Sequence, residues 1–118
     1  MPLPRPSTHD VGAAAERRAR RHYRLRGYRI LAANVRSGGV ELDVVCRRGG
    51  TIVVCEVKDK ADGSYGDPLE MVDGRKQERL RRGAEAWLAE HRTDRALRLR
   101  FDVVAVRGRR LERVENAF

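Results

Sequence analysis

Aromatic side chains make up only 5% of this 118-residue chain. That scarcity argues against recognition of single-stranded nucleic acid by base stacking. Cysteine is limited to Cys46 and Cys55, and His9, His22 and His91 show no zinc-ligand spacing. Neither a disulfide framework nor histidine-based catalysis is therefore expected, and both thiols read as buried and reduced. Three of the four prolines are Pro2, Pro4 and Pro6, which marks residues 1–8 as an irregular lead into one domain spanning 1–118. No apolar run approaches the length of a bilayer span, and no signal-like segment precedes a cleavage-like site. The expected location is cytoplasmic, with no membrane partner. Lysine is scarce beside arginine: Lys58, Lys60 and Lys76 stand among 23 arginines.

What is abundant is positive charge. The formal net charge is +9 and the pI about 10.7, a balance that fits a polyanionic partner such as nucleic acid. Within this basic chain, Val40 to Cys46 and Thr51 to Lys58 are β-branched runs bounded by Gly-containing turns, and they read as a β-hairpin. With its turn centred on Arg48-Gly49, Cys46 faces Thr51, Asp43 faces Val54 and Glu41 faces Glu56. Side chains alternate along a strand, so Glu41, Asp43, Glu56 and Lys58 share one surface. Val40, Leu42, Val44, Cys46, Val53, Cys55 and Val57 form the other, which is apolar. A slip of one residue would drive the acids into the core, so the pattern specifies its own register.

The remaining elements follow from periodicity and punctuation. A first helix is expected from Asp10 to Arg26, capped by Thr8 or Asp10 and stopped by Gly27, with Val11, Ala15, Ala19, His22 and Tyr23 as its apolar stripe. Glu16 lies within that stripe, and a carboxylate there needs either a salt bridge or a metal. Tyr28 to Ala32 reads as a strand, residues 34–39 as a turn and residues 59–68 as a polar loop. A second helix over Leu69 to His91 buries Leu80, Ala84, Trp87 and Leu88, with Gln77 on the same stripe and Gly74 weakening its first turns. Strands at Leu97 to Val106 and Leu111 to Glu115 complete the pattern. The fold class is α/β: a mixed central β-sheet of about five strands flanked by helices.

Carboxylates and an ammonium on one face suit metal-assisted phosphodiester cleavage. The reaction needs an activated water and a neutraliser for the developing phosphorane, and Mg²⁺ or Mn²⁺ serves both ends with few carboxylates. Asp43, Glu56 and the Val57 carbonyl would hold the ion. Lys58 would orient the water or stabilise the phosphorane, a task for which lysine differs from arginine because it can release a proton when desolvated. Glu16 could complete the site from the first helix and Gln77 from the second. Candidate phosphate contacts are Arg17, Arg20, Arg21 and Arg24 on the first helix, together with Arg36, Lys60 and Lys76.

Asp43 followed by Glu56-Val57-Lys58 resembles the PD-(D/E)xK signature of restriction-endonuclease-like nucleases. The fuller pattern resembles the small bacterial YraN family of predicted endonucleases. It is carried by Glu16 with Ala19, Gly27-Tyr28, Asn34-x-Arg36, Glu41-Leu42-Asp43, Glu56-Val57-Lys58-x-Lys60, Gly66-x-Pro68, Lys76 with Arg79-Leu80, Arg100-Phe101-Asp102-Val103 and Asn116-Ala117-Phe118. The first helix and hairpin are also similar to archaeal Holliday-junction resolvases, which bind branched DNA as dimers. The resemblance implies a restriction-endonuclease-like fold and a Mg²⁺- or Mn²⁺-dependent endonuclease acting on DNA, branched or flapped forms included, with a homodimer as a possible state. It marks Asp43 and Glu56 as metal ligands, Lys58 as catalytic lysine, Glu16 as an accessory acid and, more weakly, Gln77. The chain departs from the family pattern at Val40 and Ala15, where Gly is usual, and at Lys60, where Arg is usual. The rival reading is a non-catalytic module that binds DNA or ribosomal RNA.

Overall fold

A computed structural model describes residues 8–60, 68–91 and 98–118. The expected N-terminal lead, the bulk of the expected 59–68 loop with Gly66, Leu97, and the capping side chains of Thr8 and Asp10 lie outside what it describes. The elements are α1 (Thr8–Leu25), β1 (Arg29–Ser37), β2 (Val40–Arg48), β3 (Thr51–Asp59), a 3₁₀ turn (Pro68–Met71), α2 (Gly74–Glu90), β4 (Arg98–Arg107) and β5 (Arg110–Val114). The five strands form one sheet in sequence order. Only β3 and β4 run parallel, joined by the crossover that contains α2; the other neighbours are antiparallel. The architecture is α/β with a mixed sheet and two helices, compatible with a restriction-endonuclease-like fold.

The two helices cover opposite faces of the sheet. Ala15, Ala19 and Tyr23 of α1 pack with Val44, Cys46, Val53, Cys55 and Val57. Leu80, Ala84 and Trp87 of α2 pack with Val45, Ile52, Val54, Phe101 and Val103. Burial on both faces explains the unbroken apolar runs Ile52 to Cys55 in β3 and Val103 to Val106 in β4, as a covered parallel pair requires. Both cysteines are buried and free. The expected single apolar surface is divided, because Val40 and Leu42 pack on the α2 side while Val44 packs on the α1 side.

Several boundaries differ from expectation for physical reasons. α1 ends in a Schellman arrangement, with Tyr28 N–H donating to the Tyr23 carbonyl at 3.0 Å and Gly27 N–H to the Arg24 carbonyl at 3.1 Å. β1 runs on to Ser37, so the expected 34–39 turn shrinks to Gly38-Gly39. Arg48 pairs with Thr51 and Val44 with Cys55, a register two residues from the expected one because Arg47 and Arg48 belong to the strand. The helix expected to begin at Leu69 is instead a 3₁₀ turn and a separate α2. Asp73 divides them: its extended backbone, with φ −74° and ψ 174°, stops one, and its carboxylate accepts Lys76 N–H at 2.9 Å to start the other.

α2 seats on the β1–β2 end of the sheet through two glycines. A methyl group placed at Gly83 would meet Val40 Cβ at 3.0 Å, Leu42 Cδ2 at 3.1 Å and the Ser37 carbonyl oxygen at 3.3 Å. Gly38, with φ +57°, would meet Ala86 Cβ at 3.0 Å. On the other side of the sheet, Asp102 is 0% exposed. It accepts the Tyr23 hydroxyl at 2.7 Å, Arg100 through both oxygens at 2.9 Å and Asn116 N–H at 3.0 Å. This buried acid ties α1, β4 and the segment after β5 together.

Gly83→Ala should lower stability by about 1–3 kcal/mol through overpacking. Gly12→Ala in α1, where an added methyl meets nothing within 4 Å, should raise it by about 0.5–1 kcal/mol. Chemical denaturation of both variants checks the pair, and a neutral Gly83→Ala would mean that α2 sits less tightly than described.

Candidate active site

The β2–β3 ladder stops at Val44 and Cys55, and the next residues, Asp43 and Glu56, face each other where the strands part. The Asp43 carboxylate accepts the backbone N–H of Val57 at 2.8 Å, so a side chain takes the donor that β2 no longer serves. Glu56 is 6% exposed. One of its oxygens lies 2.7 Å from Lys76 Nζ and 3.4 Å from Lys58 Nζ. Around these groups opens a cleft of about 360 Å³, bounded by Glu16 of α1, Glu41 and Asp43 of β2, Glu56, Val57 and Lys58 of β3, and Lys76 and Arg79 of α2. A neighbouring hollow of about 330 Å³ shares Glu16 and Glu41 and adds Asn34. Asn34 sits in the middle of β1 with φ +52°, a left-handed conformation that Asn tolerates better than other non-glycine residues.

The charges are unevenly matched. Burial, then Glu56, pushes the Asp43 carboxyl up to about 7, with Glu16 and Glu41 adding to the rise and the Val57 N–H opposing it. Lys58 is held below the usual lysine range by burial and by neighbouring Lys76, against the pull of Glu56. Burial also works against Lys76, but its bonding with Glu56 outweighs it and holds its pKa above the usual range. Glu56 thus has cations on it, whereas Asp43 faces acids and has one backbone donor.

The structure brings Glu16, Asp43, Glu56 and Lys58 to one cleft, as read from the sequence. It does not bring Gln77, whose amide donates to the Val72 carbonyl at 3.0 Å and so ties α2 to the preceding turn. Lys76, assigned from sequence to phosphate contact, is instead the direct partner of Glu56. Arg79 and Asn34 also border the site without having been singled out for it. None of Arg17, Arg20, Arg21 and Arg24 lines the cleft. Arg36 is exposed and donates to the Gly39 carbonyl at 3.4 Å, and Lys60 N–H donates to the Val106 carbonyl.

Among the described residues, no three His, Cys, Asp or Glu side chains are grouped as a metal centre. Mg²⁺ does not need such a cage, since one or two carboxylates with waters and substrate phosphate are enough. The donor set of Asp43, Glu56 and the Val57 carbonyl fits that requirement. The crowding that raises Asp43 fits it too, because a cation there would relieve it. No described helix is long and apolar enough to cross a membrane.

Asp43 and Asp102 should respond oppositely to neutralisation. Relative to an unfolded value of 3.8, a folded value of about 7 means that Asp43 withdraws stability as pH rises between those values. Asp43→Asn should therefore gain on the parent across that window and stay ahead above it, by about 1 kcal/mol or more, read as roughly 3–6 °C in Tm. Asp102→Ala should lose about 3–5 kcal/mol, because it removes the buried acceptor that Arg100, the Tyr23 hydroxyl and Asn116 N–H share. Melting curves from pH 4 to pH 8 test both, and a destabilised Asp43→Asn would make Asp43 a structural partner.

Residues 15–106 match the model of the family described as uncharacterised protein family UPF0102. A UPF0102 protein of Acidothermus cellulolyticus is 42% identical, with 92% of each chain covered. One from a Parafrankia species is 45% identical over 81% of this chain and 80% of its own. One from Shewanella amazonensis is 40% identical over 92% of this chain and 99% of its own.

Proposed function

The chain belongs to the UPF0102 family, and from the geometry of its cleft we propose that it is a divalent-metal-dependent endonuclease that hydrolyses nucleic-acid phosphodiesters, with DNA as its substrate. The observation that carries the reading is the meeting of Asp43 and Glu56 at the end of the ladder, with Lys58 beside Glu56 and, among the described residues, no ion pair on Asp43. Asp43, Glu56 and the Val57 carbonyl would hold Mg²⁺ or Mn²⁺, with Glu16 facing them across the cleft. The ion would supply Lewis-acid polarisation of the phosphate and a more acidic water.

The chain's own groups then have separable tasks. Lys58, half-buried and with a depressed pKa, holds or releases a proton at Nζ and orients the attacking water; its charge also favours the phosphorane over the ground state. Asp43, fixed by the Val57 N–H, sets the angle at which the second acid is approached. Lys76 neutralises Glu56 and competes for it with any incoming cation. The same 2.7 Å contact favours one rival, a non-catalytic nucleic-acid-binding module in which Glu56 and Lys76 are a structural pair.

Labelled duplex, junction, flap and RNA substrates with Mg²⁺, Mn²⁺ or EDTA separate the two. A nuclease cuts only with the ion. Lys58→Ala should keep ion binding, read as a thermal upshift, and lose about 100-fold or more in cleavage. Asp43→Asn should lose both, whereas Lys76→Met should bind the ion more tightly than the parent. No ion-dependent shift in the parent and no cut in any substrate would leave the binding module.

A further inference from the structure

We infer that the exposed arginine stripe of α2, Arg75, Arg79 and Arg82, is the surface on which duplex DNA lays its phosphate backbone as it enters the cleft. The partner rests on the nuclease reading, but the location rests on separate observations.

The first is which arginines are already engaged. Arg18 donates to the carbonyls of Gly108 and Arg109. Arg48 donates to the Arg26 carbonyl and lies over the Tyr28 ring. Arg81 lies over Phe101 and Phe118, and Arg100 is held by Asp102. Those guanidiniums hold the fold. Arg75, Arg79 and Arg82 are exposed and make no ion pair, side-chain hydrogen bond or ring contact with any described residue.

The second is alignment. Residues four and three apart on a helix lie on one face, so the three form a line with Arg79 in the middle, and Arg79 borders the cleft beside Lys76. Seven residues of helix rise about 10 Å, a length on which the three guanidiniums can meet about two consecutive phosphates of one strand. At its far end the line meets the β1–β2 turn, where a methyl on Gly38 would lie 3.4 Å from the Arg82 carbonyl oxygen. Glu78 and Glu85, exposed on the next flank of α2, confine the positive band to this one stripe. The arginines of α1 offer no such path, because Glu16 is the only described α1 side chain that lines the cleft.

Binding of a labelled DNA duplex in EDTA, measured across a salt series, tests the assignment without cleavage. The triple variant Arg75→Gln, Arg79→Gln, Arg82→Gln should unfold at the parent's temperature, bind about tenfold more weakly or worse at low salt, and show a log–log salt slope smaller by about 2–3. The matching triple Arg17→Gln, Arg21→Gln, Arg24→Gln on α1 should keep most of the parent's slope. The reverse ranking, or equal losses in both variants, overturns the inference, as does a parent that binds no duplex. A parent that binds through α2 and cuts nothing with Mg²⁺ or Mn²⁺ upholds the inference while sinking the nuclease reading.

Discussion

The hydrogen bond from Val57 N–H to the Asp43 carboxylate organises the cleft. Two antiparallel strands that separate inside a protein leave backbone donors needing acceptors, and here the acceptor is a side chain of the strand that is leaving. The bond keeps Asp43 turned inward, at the residue that lies between Glu56 and Lys58. It also leaves an acid half-buried among three others, Glu16, Glu41 and Glu56. The N–H favours the charged carboxylate, but burial and the neighbouring acids prevail. The sheet thus terminates in a group whose electrostatic demand the described residues do not meet.

Asp102 sits deeper in the same sheet and gives the opposite case. Arg100, Tyr23 and Asn116 N–H satisfy it, so its burial stabilises the joining of α1 to β4. The lysines divide in a similar way: Lys76 is bonded closely to Glu56, whereas Lys58 lies further off and is depressed by burial and by Lys76 itself. A satisfied acid and an unsatisfied one within one small fold separate what holds the chain from what the chain can use.

The sequence made the shared face of Asp43, Glu56 and Lys58 legible because strand alternation has period two. That same period concealed the two-residue error in register, since a slip of two restores every face. The division between Leu42 and Val44 was not legible, because it arises where the ladder to β3 ends. Lys76 was within reach: it lies four residues before Leu80 and eight before Ala84, on the inner stripe of α2. Gln77 lies three before Leu80 and competed for the same place, but its amide is taken up by the Val72 carbonyl of the preceding turn. Asn34 belonged to the family pattern but was read as the start of a turn, since an interior strand position does not announce a left-handed backbone.

The contact of α2 with the β1–β2 turn has a consequence for how this architecture can vary. Gly83 and Gly38 set the helix lengthwise against β2 two turns beyond Lys76, so the lysine's reach to Glu56 is measured from the sheet and not from the segments that connect α2 to β3 and β4. Those connections can change in length while the distance between the two charges is conserved. A side chain larger than hydrogen at either glycine would act on the cleft like a spacer in a hinge, displacing a charge without touching it.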